Sequence, residues 1–171
     1  VDAELVEEAR DGRGAADALV PGWGGDSSLD GFQLAAARQI LGSHDRIMLF
    51  RGGAGTGKSF TLRVVHDALL QHGHAVHVLA PQRQQVQGLA DDGMAGARTV
   101  SEFLTRRTLE RNAVVIVDEA GQIGAKQMLD LVEIVRRNGG RLVLSGDTRQ
   151  HGPVEASDAL LAMERYGHLR P

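Results

Sequence analysis

"RGGAGTGKSF", Arg51 to Phe60, decides how the rest of the chain is read. Gly52, Gly57, Lys58 and Ser59 satisfy the spacing G-x-x-x-x-G-K-[ST], in which small residues let successive backbone N–H groups curl around an anion. Before it, "RIMLFRG" is apolar enough for a buried strand. After it, "GKSFTLRVVHDALLQHG" repeats Leu62, Val65 and Leu69 on one helical face up to a stop at Gly73. A strand, a glycine loop and a helix in that order predict a phosphate cradle. Gly52, Gly53, Ala54, Gly55, Thr56 and Gly57 line it with backbone, and the helix N-terminus adds the positive end of its dipole. Lys58 is expected to reach the outer phosphates of a nucleotide and Ser59 to hold Mg2+.

Working outward, the chain alternates. "AVHVLA" reads as a second strand, "RQQVQGLADDG" as a helix, and "TVSEFLTRR" as a short helix capped by Thr99 or Ser101. "AVVIVDEA" is a third strand, apolar throughout as a strand covered on both faces should be. Met128, Leu131, Val132 and Val135 mark a helix face closed by Gly139 and Gly140, and "RLVLSGD" supplies a fourth strand. Strands separated by helices of this length imply parallel crossovers, so the fold class is α/β, a mostly parallel sheet flanked by helices. Upstream, "LDGFQLAAARQIL" places Leu34, Ala37, Ile40 and Leu41 at helical spacing behind Asp30 as N-cap. Residues 1–28 read as a short helix and a Gly- and Pro-rich connector, irregular from Gly12 to Ser28, and residues 29–171 as the nucleotide-binding domain.

Bulk properties set outer limits. At 171 residues and 42% hydrophobic content the chain makes one compact domain with a real core. A net charge of -3 advertises no global affinity for nucleic acid, although a local groove can be basic on an acidic protein. There is no cysteine, which removes thiolate catalysis and cysteine-ligated zinc and fits a reducing cytoplasm. No apolar run is long enough for a bilayer span and no basic-then-apolar leader opens the chain, so a soluble, cytoplasmic protein is expected. The start at Val1 and the stop at Pro171, just after a helical pattern, suggest a piece of a longer polypeptide.

Two further stretches add chemistry to the cradle. In "VVIVDEA", Asp118 and Glu119 fall at the carboxyl end of a buried strand, where ligands bind in open α/β sheets. Asp118 would hold the metal ion through its water shell and Glu119 would orient or deprotonate an attacking water, a pairing that favours hydrolysis over transfer to a small acceptor. In "LVLSGDTRQ", Gly146, Asp147 and Gln150 end another strand. Gln150 either touches a γ-phosphate or belongs to an ordinary polar exit from the sheet.

Other residues invite a ligand and are read more plainly. His72, His74 and His77 cluster in sequence but straddle a helix end and a strand start with no carboxylate implied, so scattered surface histidines are expected rather than a metal site. His151 reads as a loop histidine and Trp23 as packing of the connector against the domain rather than a base-stacking platform. Arg106, Arg107 and Arg111 read as a solvated face, with contact to a DNA backbone as the alternative.

Taken in order, G-x-A-G-T-G-K-S, D-E-A and G-D-x-x-Q resemble the first RecA-like domain of superfamily 1 helicases of the RecD-like branch. Gln33 fits as well, because "LDGFQLAAARQIL" looks like that family's L-x-x-x-Q-x-x-A segment, whose glutamine recognises adenine. "VHVLAPQRQQVQGL" and "ARTVSEFL" stand where relatives have segments that touch single-stranded DNA. The likeness is strongest to the helicase region of MobF-type conjugative relaxases, which share an "ARDGRG"-like and a "GDTRQHGPVEASDAL"-like element, and it runs from about Glu7 to Pro171. It implies ATP and Mg2+ as cofactors and single-stranded DNA, a second RecA-like domain and a relaxase domain as partners. By position it makes Lys58 and Ser59 phosphate and metal contacts, Asp118 the metal carboxylate, Glu119 the catalytic base, Gln150 the γ-phosphate sensor and Gln33 the adenine reader.

The chain departs from that pattern at Gln82, where the family has Thr, at Gln84 and Gln85, which replace small residues, at Ser101, where relatives often have His, and at Gly121, where Ser is common. Such helicases burn ATP between two RecA-like domains, the second supplying arginines. After Gln150 only about one helix, roughly Glu155 to Tyr166, is expected here, so the isolated chain should bind Mg-nucleotide weakly and turn it over negligibly. Two other functions stay open: a P-loop kinase of a small substrate, and a non-catalytic docking module.

Overall fold

In the computed structural model of the protein, residues 2–14, 16–50 and 57–146 are described. Their centre is a five-stranded sheet in the order β1-β5-β4-β2-β3. The strands are β1 (Ile47–Phe50), β2 (Val76–Ala80), β3 (Arg98–Thr99), β4 (Val114–Val117) and β5 (Arg141–Ser145), and every pairing is parallel. The helices are α1 (Asp2–Asp11), α2 (Gly31–Gly42), α3 (Lys58–Gln71), α4 (Arg83–Asp91), α5 (Val100–Arg106) and α6 (Ala125–Arg137). The α/β class expected from the alternation is therefore the one observed.

Strand periodicity sorts the core into two layers. Leu49, Val115, Val117, Leu142 and Leu144 face one side, where Leu5 of α1, Phe103 of α5 and Met128, Leu131 and Val135 of α6 cover them. Met48, Phe50, Val114, Ile116 and Val143 face the other, against Ile40 and Leu41 of α2, Leu62, Val65 and Leu69 of α3 and Leu89 of α4. Val114 to Val117 are fully buried, as their unbroken apolar run predicts. Each such side chain contributes about 1.5–3 kcal/mol by leaving water, so the central strands are the most strongly held part of the sheet.

Local signals set the helix starts. Asp30 and Gln33 form a reciprocal capping box at α2, and Thr99 accepts from the Glu102 N–H at α5. Strand β3 was not foreseen: it has two residues, pairs Leu79 with Arg98 and Ala80 with Thr99, and runs directly into α5. A strand that short leaves no alternation to read. Trp23 is partly buried against the second core layer, as a packed connector requires.

Arg141 is the unexpected structural device. It opens β5 almost fully buried, and its guanidinium donates to three backbone carbonyls: Nε to Asp45 at 2.7 Å, Nη1 to Asp17 at 2.6 Å and Nη2 to Ser43 at 2.7 Å. The planar fork of donors suits three fixed carbonyls, so one side chain ties the connector and the entry to β1 onto the amino end of the sheet. Burial pulls this guanidinium down to about 10, partly opposed by the charges of Asp45 and Asp17. It stays charged at any physiological pH.

Among the described residues no helix is long and apolar enough to cross a membrane.

Candidate active site

The site lies at the carboxyl ends of the strands. Strand order matters here, because β5 is inserted between β1, which leads into the glycine loop, and β4, which leads into the carboxylates. The end of β5 therefore lies between the ends of the other two. Gly146 marks that end: its N–H donates to Phe50 O at 3.1 Å, and a Cβ added to it would stand 3.3 Å from the backbone N of Ala120. Glycine is the residue that fits so close an approach to the turn after Glu119.

Asp118 and Glu119 sit on that turn. The Asp118 N–H donates to Leu79 O at 2.8 Å, which holds the residue in line with β2. Glu119 then adopts φ 51° and ψ 44°, and a single 3-10 turn, Ala120–Gln122, follows. A glutamate in the left-handed region is strained by about 1 kcal/mol or more, and such strain persists where surroundings over-determine it.

Lys58, in the first turn of α3, closes the geometry. Its Nζ lies 3.0 Å from Asp118 Oδ1 and 3.0 Å from Glu119 Oε1, and the three side chains are only 10–20% exposed. The two contacts differ in quality. Lys58 donates an aligned hydrogen bond to Glu119 Oε1, whereas Asp118 Oδ1 is buried, charge-paired and without an aligned donor. Burial alone would lower the Lys58 ammonium, but the charges of Asp118 and then Glu119 outweigh it and hold the group above its ordinary value. The result is a charged lysine held by two carboxylates across α3 and β4.

Gln33 is brought to the same place from α2. Its side chain accepts from the Asp30 N–H, and its Nε2 lies so close to Gly57 that a Cβ there would collide with it. Gly57 itself has φ 72°, which only glycine adopts freely. Ser59 is half-buried beside Lys58. Gly52, Gly53, Ala54, Gly55, Thr56, Asp147, Gln150, His151 and the helix expected from Glu155 to Tyr166 lie outside the described residues.

Asp118 Oδ1 also tests the fit of a cation. A buried carboxylate oxygen without an aligned donor has lone pairs available to a metal ion or its water, and one or two carboxylates are what Mg2+ takes from a protein that also holds phosphate. The residues present fit Mg-nucleotide.

The histidines are otherwise engaged. His74 Nε2 lies 2.8 Å from Leu19 O, and His77 Nε2 lies 2.6 Å from Glu110 Oε2. That carboxylate, 33 residues away, is one that the spacing of the histidines did not imply. Its hydrogen bond with His77 pulls Glu110 below the usual range against a smaller opposing effect of burial. Of the basic cluster, Arg107 reaches Asp130 at 3.4 Å. Sequence reasoning also missed a link between Gln85 on α4 and Gln122 after Glu119, at 2.8 Å.

A parallel sheet with a lysine and two carboxylates at its carboxyl edge, in a chain that carries the G-x-x-x-x-G-K-S motif between β1 and α3, defines an α/β nucleotide-binding domain of the RecA-like type. The chain belongs to the AAA domain family, whose pattern matches residues 28–169. It is similar to the probable conjugal transfer protein TraA of Sinorhizobium fredii, 30% identical over 83% of this chain and 13% of that protein. It is also similar to the conjugal transfer protein TraA of Agrobacterium fabrum, 32% identical over 78% of this chain and 13% of that protein. The ATP-dependent RecD2 DNA helicase of Deinococcus radiodurans is 33% identical over 93% of this chain and 23% of its own length. The chain thus spans about an eighth of the conjugal transfer proteins it matches. The motif-based resemblance to RecD-like helicases and conjugative relaxases holds.

Proposed function

We propose that this chain is the ATP-binding half of a motor that couples hydrolysis to 5'-to-3' movement along single-stranded DNA, within a conjugative relaxase-helicase. The observation that carries this reading is the Lys58 ammonium held by Asp118 and Glu119 at the sheet's carboxyl edge. An ammonium held by carboxylates is exchangeable: a triphosphate offers it more negative charge and more oxygens. Lys58 and Ser59, with Gly52 to Gly57, bind the phosphates, and Gln33 reads the adenine. Asp118 and Ser59 hold the cation, which offsets the charge of the phosphates when bound. Glu119, released from Lys58, accepts the proton of the attacking water. Gln150 senses the γ-phosphate. The β2-to-α4 and β3-to-α5 exits, at Gln82 and Ser101, face the strand of DNA.

Residues 29–171 form the first RecA-like domain and residues 1–28 its N-terminal helix and connector. Alone, the chain binds Mg-nucleotide and hydrolyses it very slowly, because arginines come from a second domain. The test is the ATPase rate with and without single-stranded DNA, for the chain alone and for a polypeptide joining it to a second RecA-like domain, each beside its Lys58→Ala variant. DNA-stimulated, Lys58-dependent turnover in the joined protein alone is expected. A joined protein that stays inert on DNA sinks the motor reading, and fast turnover by the chain alone sinks the division of labour.

A further inference from the structure

A continuous set of hydrogen bonds runs from the N-terminus of α4 to Glu119. Gln82 and Gln85 cap α4 reciprocally: the Gln85 N–H donates to the Gln82 side chain, and the Gln82 N–H donates to Gln85 Oε1 at 3.0 Å. With its oxygen so occupied, the Gln85 amide turns its nitrogen outward and donates from Nε2 to Gln122 Oε1 at 2.8 Å. Gln122 in turn donates its backbone N–H to Glu119 O at 3.0 Å, closing the 3-10 turn behind the left-handed glutamate. Glu119 Oε1 accepts from Lys58. Both glutamine side chains are half-buried, while Gln82, Arg83 and Gln84 at the start of α4 are exposed.

The parts of this path differ in how they can move. The turn at Glu119 is fixed on its far side by Gly146 and on its near side by Asp118 bonded to β2. Helix α4 is more loosely held, with Leu89 as its fully buried residue. A displacement of its first turn therefore reaches Glu119 through the amide pair, which pulls on one end of a strained backbone. A single neutral amide bond adds little to stability, so its larger effect is on where the turn sits.

We infer that Gln85 and Gln122 are positioning residues that transmit the state of the α4 N-terminus to Glu119, so that a DNA strand docked there sets the rate of hydrolysis. The inference rests on the motor reading above, in which the α4 N-terminus meets DNA.

The experiment uses the polypeptide that joins this chain to a second RecA-like domain, with oligothymidylate as the strand. It measures kcat with and without DNA, KM for ATP, and Kd for the oligonucleotide. Gln85→Ala and Gln122→Ala should each lower DNA-stimulated kcat by roughly five- to tenfold, with basal kcat and KM for ATP within about twofold. The double alanine variant should be no worse than either single one, since both break the same bond. Gln122→Glu should retain stimulation because Gln85 Nε2 already faces that position, and Gln85→Glu because the Gln122 amide can rotate to face the new carboxylate with its N–H. The double glutamate variant sets two acceptors against each other and should lose it.

Alanine variants that keep full stimulation, or losses that add across the pair, overturn the inference. Equal losses of basal and stimulated rates do so too, since they show a merely structural role. A wild-type protein that DNA does not stimulate overturns the motor reading, and the inference with it.

Discussion

The two ends of the sheet each bury a cation and use it differently. At the carboxyl end Lys58 is held by two carboxylates, which raise its pKa. At the amino end Arg141 is held by three neutral carbonyls, and burial lowers it to about 10. A charge balanced by side-chain carboxylates has partners that can turn away without unmaking the sheet. A charge whose donors each fill a fixed backbone carbonyl has nothing to trade, and it serves as a clamp. The difference teaches that a buried cation marks a site only when its partners can let go.

The strongest challenge to that contrast is Lys58→Met. Turnover by the joined protein should fall by roughly 10²–10³-fold, the scale of losing one preorganised electrostatic contact, while the urea midpoint of the chain falls less than Arg141→Ala lowers it. A large stability loss with intact turnover would make Lys58 the clamp. Arg141→Ala should do the reverse. It strands three carbonyls and should cost about 3 kcal/mol or more, read as a lower urea midpoint at unchanged m-value, with nucleotide affinity of the folded protein preserved.

Gly146→Ala sharpens the comparison from within the site. A Cβ 3.3 Å from the Ala120 backbone should cost about 1–2 kcal/mol and slow turnover, because the displaced atoms carry Glu119. Thr99→Ala, away from both cations, should cost only about 1 kcal/mol through the lost cap of α5, with nucleotide binding unchanged by calorimetry.

Acidity separates the ends with the smallest effect. Because the folded state raises Lys58, its stabilising contribution is complete at all pH below the ordinary 10.5 and fades as pH rises through the folded value. The difference in urea midpoint between wild type and Lys58→Met should stay flat from about pH 6 to 9 and shrink only in strong alkali. A change near neutrality would show that the pair is not the one described.

Most of the architecture was legible because it rests on local periodicity. The run Val114 to Val117, the face Met128, Leu131, Val132 and Val135, and the cap at Asp30 each carry their own signal. The Lys58, Asp118 and Glu119 set was legible as residues of two motifs that the fold brings together, and Gln33 as a residue of a third segment, which packs against Gly57. Strand β3 escaped because two residues hold no pattern, and Arg141 because a strand-opening arginine looks like any surface charge. Glu110 beside His77 and Gln85 beside Gln122 escaped for a different reason: their partners lie 33 and 37 residues away.

The sequence by itself determined an α/β chain with a G-x-x-x-x-G-K-S motif, two carboxylates at a strand end and the helices between them, since each follows from spacing within a few residues. Only the tertiary structure decided that β5 enters between β1 and β4, that Lys58 spans both carboxylates, and which buried cation is a clamp. Those depend on which distant segments meet, and a side chain's charge acquires its role from the dielectric and the partners that the packed fold puts around it.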